Sequence, residues 1–448
     1  MSQFVARLYL LKKMYTMKSS QYNIYITHKN QNYIYNTLTT ALVKIPHVIR
    51  HKLETNQLDT IDKSLLGNLK QNGIIVDRNL DELSVFRYYY NSIQYSENHD
   101  ELKIVFVPTY KCNLKCFYCF EECSHIPHQY ADDNVVEQIS SFVQNQLNTH
   151  PTYKRVSLIL FGGEPLICKK QCADICKQLS IILEKKQVAF FPKIITNATL
   201  LDEVAIKELI LPYNMHIQIT LDGTEEIHNQ RKIYKNGNGT YKQITTAIDL
   251  LYKLGCKDLV DLRINVDKNN LHCIEAILTE FNDKVGFIYF GLLRPYGNNS
   301  CFSESCISQN EFQINYKAQL LPILKKYQMG YPSLGIVKQH PCGMNRLNTF
   351  IIDYFLDVYK CENLLGNKQY AIGNIVDGML KKTSAYYSQV AWTPFNLKCN
   401  DCILLPACAG SCPYLCLMEN GDINKPLCSI TNEQLMKKIR LYIDELNE

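Results

Sequence analysis

Residues 103–119 read KIVFVPTYKCNLKCFYC. The opening KIVFVP (103–108) is a short apolar run ending in proline, the pattern of a buried strand. Behind it come Cys112, Cys116 and Cys119 in the spacing C-x3-C-x2-C, on a loop leaving that strand. Three thiolates within eight residues can wrap three corners of a cubane, and a four-iron cluster takes four ligands. Supplying three leaves one iron open to an exogenous ligand, as catalytic metal sites generally do. Cys123 is a fourth candidate that would close the site, although helical phase turns it away from the loop. The competing readings are three chance core cysteines, or zinc, which in structural sites normally draws four ligands from two separated pairs.

Outward from this stretch the same pattern repeats. VSLILFG (156–162), FFPKIITN (190–197), MHIQITL (215–221), LVDLRINV (259–266) and VGFIYFG (285–291) read as further strands. Amphipathic stretches at 170–184, 203–210, 241–254 and 271–280 lie between them. Six strands each followed by a crossover predict parallel βα units. The expected fold class is α/β, a partial (β/α)6 TIM-like barrel with its chemistry at the C-terminal ends of the strands. It spans residues 101–300. Residues 1–100 form a separate N-terminal α+β unit: a hairpin over 22–36, YNIYITHKNQNYIYN, then helices with a turn at Gly73. Residues 301–340 are a connector with a helix over 310–327. Residues 341–448 are cysteine-dense and turn-rich, closed by a helix over 432–446 that places Leu435, Ile439, Ile443 and Leu446 on one face.

Composition excludes several classes. The chain has 448 residues, 46% hydrophobic and 20% charged, which is globular and not disordered. No apolar run is long enough for a membrane span. The net charge of +5 is too small to argue for nucleic acid. Residues 1–50 carry seven Lys or Arg and no acid, whereas 51–100 carry five against eight acids. The N-terminus is a poor export signal, and Met17 is an alternative start. Nineteen cysteines, an odd number without an export signal, argue against a disulfide scaffold and for core thiols or metal ligands in a reducing compartment. A cytoplasmic location is expected.

CNLKCFYCF, at the end of the first strand of a partial barrel, resembles the radical S-adenosylmethionine family, with Tyr118 in the aromatic position. The next strand ends in Gly162-Gly163-Glu164, similar to the family's glycine-glycine-glutamate element, whose resemblance implies a grip on the methionine amino group of the cofactor. The third ends in Thr196-Asn197-Ala198, where the family usually shows Thr-Asn-Gly. The fourth, ITLDGTEEIHNQRK, is similar to the family's strand-four stretch: Thr220 stands where a serine contacts the cofactor, Asp222 and His228 match, and the usual arginine aligns with Lys232, beside Arg231. Either cation is a candidate for the cofactor carboxylate, though Lys lacks the bidentate fork. The resemblance implies a [4Fe–4S] cluster that passes an electron to S-adenosylmethionine, a 5′-deoxyadenosyl radical, hydrogen abstraction from substrate, and an external electron donor such as a ferredoxin or flavodoxin.

The C-terminal cysteines read Cys342, Cys361, then Cys399-x2-Cys402-x5-Cys408-x3-Cys412, then Cys416 and Cys428. Seven of them resemble the SPASM domain attached to many enzymes of that family, except that the glycine usual five residues before the second cysteine is Leu356. The resemblance implies two auxiliary [4Fe–4S] clusters. Cys342, Cys361 and Cys412 would serve the first, with Cys416, Cys301, Cys306 or an open iron at the fourth corner. Cys399, Cys402, Cys408 and Cys428 would hold the second. In the related sulfatase-maturing enzymes an aspartate at the position of Glu362 acts as a base, so Glu362 is a candidate catalytic base, set against a solvated acid beside a cluster. Cys168, Cys172 and Cys176 share one helix face and read as core, as do Cys256 and Cys273.

The N-terminal unit resembles the leader-peptide recognition elements of maturases of ribosomally made peptides, which clamp an extended peptide on a β edge. An extension that only covers the barrel is the other reading. The expected function is a radical peptide maturase that oxidises or crosslinks a residue through a thioether or carbon–carbon bond, with a precursor peptide or protein as partner. The alternatives are an anaerobic sulfatase maturase converting Cys or Ser to formylglycine, against which the long N-terminal unit counts, and a non-catalytic electron-transfer protein.

Overall fold

The computed structural model describes residues 17–96, 99–119, 129–293, 303–307, 320–329, 341–377, 383–428 and 430–446. They fall into two compact units. The first takes in the described residues of Met1–Tyr95, Tyr331–Cys342 and Trp392–Glu448, and the second those of Ser96–Gly330 and Gly343–Ala391. The units therefore cross the division at 100, 300 and 340: residues 343–391 belong with the main sheet, and the last stretch shares a unit with the N-terminus.

In the first unit, β1 (Met17–Ser19) pairs antiparallel with β5 (Ile75–Asp77). β2 (Asn23–His28), β3 (Gln31–Asn36) and β4 (Leu42–Ile45) form an antiparallel sheet with β2 and β4 at its edges. The β2–β3 turn is Lys29-Asn30, both at positive φ (46° and 58°), the tight two-residue turn whose twist suits a hairpin. Period two then splits the side chains. Ile34 and Tyr25 face a core with α1 (His47–Glu54) and α2 (Lys63–Gln71), through Ile49, Leu53 and Leu69. Ile24, Ile26, Tyr33 and Tyr35 face a second core with Leu404, Leu435, Ile439 and Ile443. Asp62 caps α2, accepting the N–H groups of Ser64 and Leu65, and Gly73 (φ 70°) turns the chain out where any Cβ would meet Thr39 at 2.5 Å. α3 (Glu82–Gln94) completes the N-terminal part.

The second unit is built on a nine-stranded sheet. β6 (Glu101–Val107), β8 (Arg155–Leu160), β9 (Ala189–Thr196), β10 (His216–Thr220), β12 (Val260–Val266) and β13 (Phe287–Leu292) lie in chain order, each parallel to its neighbour. These are the six expected strands, and the α/β fold class stands. Helices α4 (Asp133–Thr149), α5 (Lys169–Lys186) and α8 (Ile274–Phe281) each lie in one crossover, α6 (Glu225–Arg231) and α7 (Tyr241–Lys253) share the one from β10 to β12, and the short helical turns Glu203–Ala205 and Ile206–Ile210 lie between β9 and β10. Two elements were not expected. β7 (Leu114–Cys116) pairs antiparallel with β11 (Lys232–Tyr234), a ribbon of three residues each, too short to show a period. β14 (Thr349–Asp353) joins the sheet parallel to β6, followed by the antiparallel β15 (Asp357–Tyr359) and β16 (Gly373–Asn374). All five β14 residues are buried, as in a strand covered on both faces, so no alternation betrays it.

Returning to the first unit, α9 (Asn432–Leu446) buries Leu435, Ile439 and Ile443 as expected, but Leu446 is 63% exposed, beyond the last turn that meets β2. Of the connector, Leu321–Lys326 is helical, and most of the helix expected over 310–327 lies outside the described residues, as do Cys123 and Cys301. No helix among the described residues is long and apolar enough to cross a membrane.

Candidate active site at the ends of the parallel strands

The loop after β6 is anchored before it reaches its cysteines. Gly163 N donates to Thr109 O (3.2 Å) and Glu164 N to Lys111 O (2.9 Å). A Cβ on Gly162 would stand 2.5 Å from Thr109 O, and one on Gly163 2.4 Å from Lys111 O. The two glycines thus let the loop after β8 seat against the root of the cysteine loop. Cys112, Cys116 and Cys119 follow, all half-buried. Cys116 sits on β7 opposite Lys232, Cys119 N donates to Cys116 O, and the Cys112 sulfur accepts Leu114 N at 3.4 Å and the Asn197 amide at 3.7 Å.

Burial pushes the Cys112 thiol up to about 11 and the Cys116 thiol up to about 12. The neighbouring sulfurs raise them further, and Lys232 opposes both. The three sulfurs therefore share one neighbourhood with a buried cation. Among the described residues, no three His, Cys, Asp or Glu side chains gather closely enough to hold a single ion. Three spaced, half-buried thiols are the donor set a four-iron cluster asks of a loop that leaves one corner open.

Glu164 is fully buried. Its Oε1 accepts Leu166 N (2.9 Å) and the Thr196 hydroxyl (2.7 Å), and its Oε2 accepts Asn197 N (2.7 Å). Burial raises its pKa, and those three donors with Lys232 hold it back. Thr196 Oγ1 also accepts Ala198 N at 3.0 Å. Ala198 itself has φ 62°, so alanine holds the left-handed turn that glycine usually supplies. The Asn197 amide donates to Asn113 Oδ1 (3.0 Å), and Asn113 donates to the Thr199 hydroxyl (2.8 Å).

On the other side of the loop, the Tyr118 hydroxyl donates to Asp222 and accepts Asn265 Nδ2 at 3.1 Å. Asp222 also accepts Asn265 N (2.9 Å) and lies 3.7 Å from Arg231. Arg231 bonds Asp267 at 2.7 Å and Asn265 O at 3.1 Å, and its guanidinium lies over the rings of Phe117 (5.1 Å) and Tyr118 (5.7 Å). It clamps the loop's aromatic pair to the ends of β10 and β12. Lys232 is the cation turned toward the thiols and Glu164, with Nζ 3.4 Å from Thr220 O. His228 accepts Asp222 N on Nδ1 (3.2 Å) and meets the Thr240 hydroxyl through Nε2 (3.0 Å). That hydroxyl donates to Lys232 O (2.8 Å), so the His228 Nε2 carries the proton. Burial, then Lys232 and Arg231, hold its pKa well below the usual range, so it braces the turn as a neutral ring. The parts played by Arg231, Asn113, Asn265 and Asp267 escaped the sequence reading, because polar pairing at strand ends leaves no periodic signal.

The C-terminal cysteines lie in both units. In the first, Asn396 caps Leu397–Asn400 through Cys399 N, and Cys402 N donates to Cys399 O at 3.0 Å. Ala409, Gly410 and Ser411 all have positive φ, which curls the three residues between Cys408 and Cys412 into a left-handed turn. The Cys399 thiol is raised by burial, with Cys402, Cys408 and Cys428 as further causes, so those three thiols are its neighbours. Cys342 and Cys412 are half-buried in the same unit. Cys361 is half-buried at the end of β15 in the second unit, followed by an exposed Glu362. Leu356 has φ 65°, so the turn before Cys361 keeps a glycine-like conformation with a leucine in it. Of the other candidates, Cys416 is buried with its thiol toward Gly410 O (3.8 Å), and Cys306 is half-buried with Asp267 and Lys268 nearby. Cys168 and Cys172 donate to Pro108 O and Pro165 O, and with Cys176, Cys256 and Cys273 they are buried.

Residues 106–281 match the model of the radical SAM superfamily. The chain is 24% identical over 331 residues to a cysteine-type anaerobic sulfatase-maturating enzyme of Clostridium perfringens (strain 13), covering 67% of this chain and 85% of the relative. It is 23% identical over 251 residues to the Fe-coproporphyrin III synthase of Methanosarcina barkeri, covering 56% and 58%. Among solved structures it resembles native anSMEcpe with bound AdoMet and Cp18Cys peptide (TM-score 0.60, 20% identity, 78% of this chain and 98% of that one). It also resembles Streptococcus suis SuiB bound to S-adenosylmethionine (TM-score 0.51, 16% identity, 91% and 98%). A [4Fe–4S] cluster and S-adenosylmethionine are the cofactors of this fold. With its cysteine loop, its parallel strands and the family match, the stretch 106–281 is the radical SAM domain of an enzyme.

Proposed function

We propose that the chain modifies a peptide, and that the site at the ends of β6, β8, β9 and β10 holds the cluster and S-adenosylmethionine. One arrangement carries the site: Lys232 stands opposite Cys116 in the β7–β11 ribbon, and Asn197 bonds both Glu164 and the Cys112 sulfur, so thiols, cation and carboxylate converge. When bound, the reduced cluster and S-adenosylmethionine supply hydrogen-atom abstraction. Cys112, Cys116 and Cys119 would be the residues that hold the cluster. Glu164, its oxygens oriented by Thr196 and Asn197, takes the ammonium of the cofactor, and Lys232 with Thr220 takes its carboxylate. Gly162 and Gly163 keep Glu164 seated against the cysteine loop, and Tyr118, fixed through Asp222, walls the site. Cys399, Cys402, Cys408 and Cys428 would hold one auxiliary cluster, and Cys342 and Cys412 are the ligands the same unit offers to another. Glu362, exposed beside Cys361, accepts the proton released as substrate is oxidised.

A ribosomally made peptide is the substrate this reading favours, with the first unit as its leader clamp. The likeness to anSMEcpe with its bound Cp18Cys peptide supports a peptide substrate, and the edge of β4, unpaired among the described residues and carrying exposed Lys44, supports the clamp. Sulfatase maturation is the second reading, favoured by curated relatives matched over 85% of their length. The test is anaerobic: reconstitute the chain, reduce it, add S-adenosylmethionine and quantify 5′-deoxyadenosine beside Cys116→Ala. Formation by wild type alone supports the site, and loaded wild type that never forms it, with or without peptide, refutes it. A sulfatase-derived Cys peptide converted to formylglycine would decide for the second reading.

A further inference from the structure

We propose that Asp353 is a positioning residue for the cysteine loop, acting through the hydroxyl of Tyr110 at the loop's root. The inference rests on reading Cys112, Cys116 and Cys119 as cluster ligands. Asp353 ends β14 in register with Val107 at the end of β6, and Tyr110 comes three residues after Val107.

Asp353 makes three bonds, and they explain why the residue is an acid. Its Oδ1 accepts Phe355 N (3.0 Å) and Asp357 N (3.1 Å), closing the turn between β14 and β15. An asparagine oxygen would accept both. Its Oδ2 accepts the Tyr110 hydroxyl at 3.0 Å. An amide nitrogen could meet that hydroxyl only by donating to it, so taking the tyrosine proton together with both turn N–H groups calls for a carboxylate. Burying a carboxylate is costly, and the nearby Asp357 adds to the cost. The turn alone does not require that cost; accepting the Tyr110 proton as well does.

Tyr110 is in turn wedged at its backbone. Its carbonyl oxygen stands 2.5 Å from where a Cβ on Gly163 would lie. Its neighbours Thr109 and Lys111 receive the backbone bonds from Gly163 and Glu164, and its ring packs edge-on against Tyr354 at 5.4 Å. Cys112 follows two residues later. The hydroxyl therefore joins the seat of the cysteine loop to a strand that lies outside the six-strand repeat.

The test uses the full chain, reconstituted anaerobically, as wild type, Tyr110→Phe, Asp353→Asn and the double variant. Iron content, the electron paramagnetic resonance spectrum of the reduced protein with and without S-adenosylmethionine, and 5′-deoxyadenosine formation are measured, with Cys116→Ala to subtract other clusters. Both single variants are expected to keep wild-type iron, to change the cofactor-dependent line shape, and to lose about tenfold in rate. The double variant is expected to fall no further than the weaker single. Wild-type line shapes and rates in both singles, or losses that multiply in the double, overturn the proposal. If Asp353→Asn unfolds, Tyr110→Phe decides alone, since it removes one oxygen. A wild type without any cofactor-dependent signal overturns the cluster reading instead.

Discussion

At the scale of single residues, Ala198 places a side chain where the backbone favours none. Ala198 keeps φ at 62° in a buried turn whose Thr196 hydroxyl and Asn197 N–H both donate to Glu164. The left-handed conformation costs roughly 1–2 kcal/mol for a residue with a Cβ, and one buried methyl contributes about 0.8 kcal/mol. Ala198→Gly is therefore expected to leave stability unchanged or raise it by up to about 1 kcal/mol. Urea unfolding that shows a clear loss would contradict this. Asp353 gives a pH prediction. Burial first, then Asp357, push its carboxyl up to about 7. A raised acid binds its proton more tightly when folded, so its contribution is complete below about pH 4 and is lost as pH rises through about 7. Relative to Asp353→Asn, wild type should lose stability on the order of 4 kcal/mol between those limits. A pH-independent difference in unfolding free energy would refute the assignment.

At the scale of elements, the six parallel strands were legible because each is an apolar run of ordinary length bounded by turn residues. Their cysteine, glycine–glutamate and aspartate ends were legible with them. β14 was not: Phe350, Ile351 and Ile352 form too short a run, buried on both faces, amid a cysteine-rich stretch. The β7–β11 ribbon was not legible either, yet it sets the Lys232–Cys116 register and so brings the buried cation to the thiols. Lys232→Ala is expected to keep bound iron near wild type and to raise the cofactor concentration needed for half-maximal 5′-deoxyadenosine formation at least tenfold. That corresponds to about 1.4 kcal/mol, a modest share of a buried ion pair. An unchanged requirement would move the carboxylate grip to another residue, and Arg231 is the first to test, although it is already bound to Asp267.

At the scale of the whole molecule, the sequence reads as consecutive segments, whereas packing joins distant ones. The face of the hairpin that carries Ile24, Ile26, Tyr33 and Tyr35 shares its core with Leu404, Ala407, Leu435, Ile439 and Ile443. The Thr37 hydroxyl donates to Ile403 O at 2.6 Å, one residue past Cys402. Periodicity reports only that a face is apolar, not which remote segment covers it, so this union could not be read along the chain. It has a consequence for the cysteines. Cys399, Cys402 and Cys408 hang on Leu404–Ala407, whose apolar side needs the hairpin. Truncating a buried isoleucine to alanine costs about 2–5 kcal/mol. Ile439→Ala and Ile26→Ala, one from each end of the chain, should therefore weaken the same cooperative unit. Both are expected to lower the unfolding midpoint and to release iron from the C-terminal cysteines at a lower urea concentration than from the loop of Cys112, Cys116 and Cys119. Removing residues 1–95 should go further, leaving a chain that loads only the iron of that loop. If the truncated chain instead loads as much iron as the full one, the N-terminal segment is a separable attachment and not half of the auxiliary site's support.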